Sequence, residues 1–146
     1  MKKDGPIVII EDDDDDQFIF GEVLKTLNLP NEIIFINDST KAIPFLKQKH
    51  IHPFLVISDI NMPKMNGLEL CDEIRKDISL SHKTKPFVFF TTMGSAYPIE
   101  EAFKRDIQGY FFKTPDYKQL TENLREIIEF WQNVEDTENH DTELSA

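Results

Sequence analysis

One cysteine, Cys71, stands in the 146 residues, so no disulfide can form within the chain. The histidines His50, His52, His82 and His140 are scattered through segments that read as loops or tail, and no Cys and His spacing of the zinc-binding kind occurs. Long hydrophobic runs are missing as well: nothing approaches the roughly 20 apolar residues of a membrane-spanning helix. The apolar stretch behind Lys2 and Lys3 is too short for a signal peptide and runs straight into acids. Positive charge is scarce, with 16 Lys and Arg against 27 Asp and Glu, a net charge of −11 at pH 7. The last residues hold Glu135, Asp136, Glu138, Asp141 and Glu143 with no Lys or Arg among them. Phosphate backbones and anionic lipids repel such a chain, so direct nucleic-acid binding and membrane docking are not expected. A cytoplasmic protein is.

What is present suits one folded domain. An apolar share of 40% that includes 12 Phe supplies a core, and the length fits a single domain rather than two. Short apolar, β-prone runs alternate five times with longer segments of helical period, the signature of an α/β fold with a parallel sheet. The predicted strands are Ile7 to Ile10, Glu32 to Ile36, Phe54 to Ser58, Phe87 to Thr91 and Gly109 to Lys113. Most are nearly all apolar, as strands covered on both faces should be. The first predicted helix carries Phe20, Val23, Leu24 and Leu27, and the second runs from a capping Ser39 to about Lys49, kinked or late in starting because of Pro44. A third carries Leu70, Cys71, Ile74 and Ile78 from about Gly67 onward, and a fourth has Pro98 in its first turn with Ala102 and Phe103 behind it. The last stripe is Tyr117, Leu120, Leu124, Ile127, Ile128 and Trp131.

Ligands of open α/β sheets bind outside the carboxyl ends of the strands. Glu11 and Asp12 follow the first predicted strand, Asp59 follows the third, Thr91 closes the fourth and Lys113 closes the fifth. Carboxylates gathered at one mouth repel one another unless a cation sits between them, and hard oxygen ligands suit Mg²⁺. Lys113 offers a compact charge and Thr91, favoured over Thr92 by its distance to Lys113, a hydroxyl donor. Such a set can hold the oxygens of a phosphoryl group in transfer, with Asp59 the best-placed nucleophile. Plainer roles exist for each: Asp59 as a turn residue in "SDINMPKMNG", Lys113 as a surface lysine, and Thr91 as a strand end.

The segments "IVIIEDD", "LVISDINMPKMNGLEL", "VFFTT" and "GYFFKTP", in that order, resemble the receiver domain of two-component response regulators. The likeness covers about Pro6 to Trp131 and is greatest to stand-alone receivers, including the bacterial phytochrome-associated kind. It implies a flavodoxin-like (βα)5 doubly wound sandwich with a five-stranded parallel sheet of order 2-1-3-4-5. It divides the chain into an N-terminal extension, residues 1–5, a receiver domain, 6–134, and an acidic tail, 135–146, expected to be disordered. By position, Asp59 matches the phosphoacceptor, Glu11 and Asp12 the acidic pair that holds Mg²⁺, and Asn61 the residue whose main-chain carbonyl completes the metal site. Thr91 and Lys113 match the hydroxyl and lysine that meet the phosphoryl group, and Tyr110 the aromatic switch residue, although Tyr110 reads almost equally well as a plain core or surface aromatic. The implied partners are a histidine kinase or histidine phosphotransfer protein, which donates the phosphoryl group, and a downstream protein reached by protein contact. A homodimer through the last strand and helices is implied as well. The protein would not be an enzyme, though it would assist its own phosphorylation and dephosphorylation.

Two residues depart from that pattern. Thr114 separates Lys113 from Pro115, where the family usually has proline directly after the lysine. Met93, two residues past Thr91, offers no hydrogen bond to an attacking water, so self-dephosphorylation is expected to be slow. The rival functions are a Mg²⁺-dependent phosphatase of the haloacid dehalogenase type and a silent pseudo-receiver acting as a binding module. The first wants a second acid two residues after its nucleophile, where Asn61 stands. The second sits poorly with a full set of site residues.

Overall fold

The computed structural model describes residues 1–93 and 98–134. The expectation for the acidic tail, 135–146, falls outside them. Strand β1 (Ile7–Ile10) lies between β2 (Ile33–Ile36) and β3 (Leu55–Ser58), and the sheet continues through β4 (Phe87–Thr91) to β5 (Gly109–Phe112). All pairings are parallel and the order is 2-1-3-4-5, as expected, with Ile7 opposite both Ile33 and Leu55. The reversal of strand order at β1 puts a crevice at the carboxyl ends of β1 and β3.

Alternate side chains of the central strands enter two different cores, because successive residues of a strand point to opposite faces. Ile7, Ile9, Leu55, Ile57, Val88 and Phe90 pack under α1 (Asp14–Thr26) and α6 (Tyr117–Asn133). Val8, Ile10, Val56, Phe87 and Phe89 pack on the other face under α2 (Ala42–Leu46), α3 (Gly67–Arg75), α4 (Ile78–Lys83) and α5 (Ile99–Phe103). The central strands β1, β3 and β4 are therefore buried on both sides.

The helices differ in detail from the expectation. Asp38, not Ser39, caps the second helical segment, accepting from the Thr40 amide; the Ser39 hydroxyl instead donates to the Met65 carbonyl at 2.6 Å. A 3-10 turn over Ser39–Lys41 precedes α2, so the helix starts late and Pro44 falls in its first turn, where no donor is lost. The single helix predicted from Gly67 breaks after Arg75. Asp77 accepts from the Leu80 amide and starts α4, leaving Ile78 88% exposed rather than on the buried stripe. Short acidic side chains offer the backbone this alternative to a continuing helix. Pro98 sits one residue before α5 instead of within its first turn, and Tyr117 and Phe103 are exposed. Glu32, Phe54 and Lys113 fall just outside the strands predicted to hold them.

Candidate functional site

The ends of β1, β3 and β5 each deliver a charged group to the mouth. The amide of Glu11 donates to the Ile36 carbonyl and that of Asp59 to the Ile10 carbonyl, so both residues prolong the parallel ladders by one bond at 3.0 Å. Lys113 does the same beyond β5, donating to the Thr91 carbonyl at 2.8 Å. Backbone pairing thus fixes the three chemical groups relative to one another.

Asp59 is 6% exposed, with one carboxylate oxygen accepting from the Ile60 amide at 2.7 Å and the other 3.1 Å from Lys113 Nζ. Glu11 is 1% exposed and lies 2.5 Å from the same ammonium. Glu11, Asp12 and Asp59 can each place a carboxylate oxygen within 4.8 Å of those of the other two. A trio of hard oxygen donors at that spacing fits one divalent ion of the Mg²⁺ or Mn²⁺ type, because neither a soft ligand nor a neutral nitrogen is among them.

Burial pushes the Glu11 carboxyl up to about 7; the Lys113 hydrogen bond opposes that rise and the Asp59 charge adds to it. Burial works against the Lys113 charge, but the hydrogen bonds it donates to Asp16 and Glu11 and the charges of Glu11 and Asp59 outweigh it and hold the ammonium above the usual lysine range. Lys113 is therefore a fixed cation.

Thr91 is fully buried, and its hydroxyl has no hydrogen-bond partner among the described residues. Buried hydroxyls are rarely left so. Met93 is 73% exposed at the end of the same strand. Tyr110, half-buried, packs edge-on against Phe89 and Phe112 with ring centres 6.5 and 5.5 Å away, and burial raises its phenol. Asn61 is exposed in the loop after Asp59. That loop returns over Asp59 because the Gly67 amide donates to the Ile60 carbonyl at 2.7 Å. Among the described residues the one cis peptide is Lys85–Pro86, so Lys113–Thr114 and Thr114–Pro115 are both trans.

The structure thus brings Glu11, Asp12, Asp59 and Lys113 together, with Thr91 closing the neighbouring strand. It adds one residue to which the sequence alone gave no part in the site: Asp16 Oδ2 lies 2.7 Å from Lys113 Nζ. The available signal was its position in the first turn of a helix that begins at the mouth, since helical side chains lean toward the N-terminus. Asp13 caps the same helix, accepting from the Asp16 amide at 3.0 Å.

A doubly wound sheet of this order, with an acidic trio where the strand order reverses and a partly buried lysine against it, defines a phosphoacceptor signalling domain. The family model of the response regulator receiver domain matches residues 7–125. The response regulator Rcp1 of Synechocystis is 30% identical over 130 residues, 86% of this chain and 87% of that protein. Among solved structures, the phosphorylated cyanobacterial phytochrome response regulator RcpA superposes with a TM-score of 0.78 at 26% identity, covering 90% of this chain and 96% of that one. The Mn²⁺-bound form of Rcp1 gives 0.76 at 28% identity, covering 90% and 97%. The chain belongs to the response regulator receiver domain family, and it is a phosphoacceptor switch of two-component signalling.

Proposed function

We propose that Asp59 is the phosphoacceptor, that Glu11, Asp12, Asp59 and the main-chain carbonyl of Asn61 hold Mg²⁺, and that Lys113 and Thr91 receive the phosphoryl group. The observation that carries this is the position of Lys113 Nζ, in contact with both Asp59 and Glu11 at the mouth of the sheet. The metal, when bound, supplies positive charge to the transferring phosphoryl oxygens. An Asp59 carboxylate oxygen attacks phosphorus, the bond from phosphorus to the donor histidine nitrogen breaks, and the imidazole leaves after taking a proton. Lys113 neutralises oxygen charge that builds during transfer. Thr91, whose hydroxyl has no partner among the described residues, donates to a phosphoryl oxygen afterwards. Tyr110 follows as the aromatic element between the site and the surface of β5.

The donor is a histidine kinase or a histidine phosphotransfer protein, and the signal passes to a downstream protein by contact. Exposed Phe103 and Phe130 beside β5 support a homodimer through the last strand and helices as one form of that contact. The receiver spans residues 6–134, with 1–5 as an extension and 135–146 as an acidic tail, and works in the cytoplasm as a switch rather than an enzyme with turnover on a separate substrate. Asn61 in place of a second acid speaks against a phosphatase.

Acetyl phosphate with Mg²⁺ tests the assignment by intact mass. One acid-labile phosphoryl group is expected on the wild type and none on Asp59→Asn. Steady release of phosphate from esters, or phosphorylation that survives in Asp59→Asn, would overturn it.

A further inference from the structure

Lys113 Nζ has three N–H donors, and three carboxylates meet them: Glu11 at 2.5 Å, Asp16 at 2.7 Å and Asp59 at 3.1 Å. Glu11 and Asp59 also belong to the trio that converges with Asp12, but Asp16 does not. A divalent ion seated in that trio draws on Glu11 and Asp59 as its own ligands, and its double charge repels the ammonium beside it. Of the lysine's three acceptors, only Asp16 is then left to it.

Building on the function proposed for Asp59, we propose that Asp16 is a positioning residue that tethers Lys113 at the mouth while the metal is bound, so that the ammonium stays where phosphoryl oxygens arrive. The tether is well seated. The Asp16 amide is bonded to the Asp13 cap, and the helix behind it is anchored by buried Phe20, Val23 and Leu24. The side chains of Lys113 and Asp16 are 15% and 33% exposed, so water competes only partly for the pair. Asp15 next door is exposed and makes no contact with Lys113, which makes it a charge-matched control.

The test compares wild type, Asp16→Ala, Asp16→Asn and Asp15→Ala in two measurements. In Mg²⁺-loaded protein, the Lys113 ammonium signal in nitrogen-15 NMR should exchange slowly in wild type and Asp15→Ala and vanish into solvent exchange in Asp16→Ala. With acetyl phosphate at saturating Mg²⁺, Asp16→Ala should be phosphorylated about tenfold more slowly than Asp15→Ala, the scale of one charge-assisted hydrogen bond. Asp16→Asn, which keeps an acceptor and the shape of the side chain, should fall between. An ammonium equally protected in Asp16→Ala, or a slowing that disappears as Mg²⁺ is raised, would overturn the tether. A wild type with a protected ammonium that accepts no phosphoryl group would instead overturn the assignment of Asp59 and leave the tether standing.

Discussion

A β-carbon placed on Gly67 would lie 2.2 Å from the carbonyl oxygen of Asp59 and 2.9 Å from the Phe89 ring. The loop that leaves the proposed phosphoacceptor therefore returns against it with no room for a side chain. Both obstacles are rigid, one of them backbone, so Gly67→Ala must push the start of α3 away from Asp59. We expect a loss of stability of about 1–3 kcal/mol, the usual scale of overpacking, and slower phosphorylation by acetyl phosphate. Denaturant unfolding together with the phosphorylation rate checks this, and a variant equal to wild type in both would refute it.

Removing Lys113 leaves Glu11, Asp16 and Asp59 facing one another without a counter-ion. Lys113→Ala should unfold more easily without Mg²⁺, by about 3 kcal/mol at most, the low end for breaking a buried pair. It should also gain more from added Mg²⁺ than wild type does, because the ion no longer competes with the ammonium. Thermal unfolding across a Mg²⁺ titration reads both effects; equal Mg²⁺ stabilisation of the two proteins would contradict the competition.

Met93 is exposed beyond Thr91 and carries no group that can orient a water molecule. Phosphorylated wild type should therefore lose its phosphoryl group slowly. Met93→Glu, with an acceptor at the rim, should lose it several-fold faster, general-base assistance by a positioned side chain being worth about 100-fold or more when geometry is ideal. Decay followed by intact mass decides the matter, and an unchanged half-life would show that Met93 has no part in it.

Burial pushes the Cys71 thiol from its ordinary 9.0 up to about 11, with the nearby Arg75 charge opposing the rise. The thiolate is the nucleophile, so alkylation of folded protein at pH 8 should be far slower than in urea and should accelerate only as pH nears 11. The raised folded-state value means that the contribution of this protonated thiol to stability is complete below about pH 9 and fades between there and about 11. Timed iodoacetamide labelling checks the reactivity, and equal rates in folded and unfolded chains at pH 8 would contradict it.

Strand positions were legible because parallel strands buried on both faces carry almost no polar residue, as Ile7–Ile10 and Phe87–Thr91 do. The same regularity made Glu11, Asp59 and Lys113 legible, since each is the first charged residue beyond such a run. Helix ends were harder. Asp77 and Asp38 decide where helices start through single side-chain bonds to nearby amides, and sequence alone does not say which of several polar residues will make that bond. Asp16 was missed for a related reason: amid a run of acids, only the rotation of α1 singles out the one that faces Lys113.

The Thr91 hydroxyl, without a partner among the described residues, bears on more than the proposed transfer step. A buried donor without an acceptor costs about 1–3 kcal/mol, and that cost falls on the resting fold alone if a phosphoryl oxygen later accepts the bond. Without a phosphoryl group the hydroxyl gains no acceptor in either packing, so the relief comes only with phosphorylation and adds to the free energy by which the modification favours the on state. A receiver built this way would hold part of its switching energy in one unpaired side chain, released only when the modification supplies the acceptor.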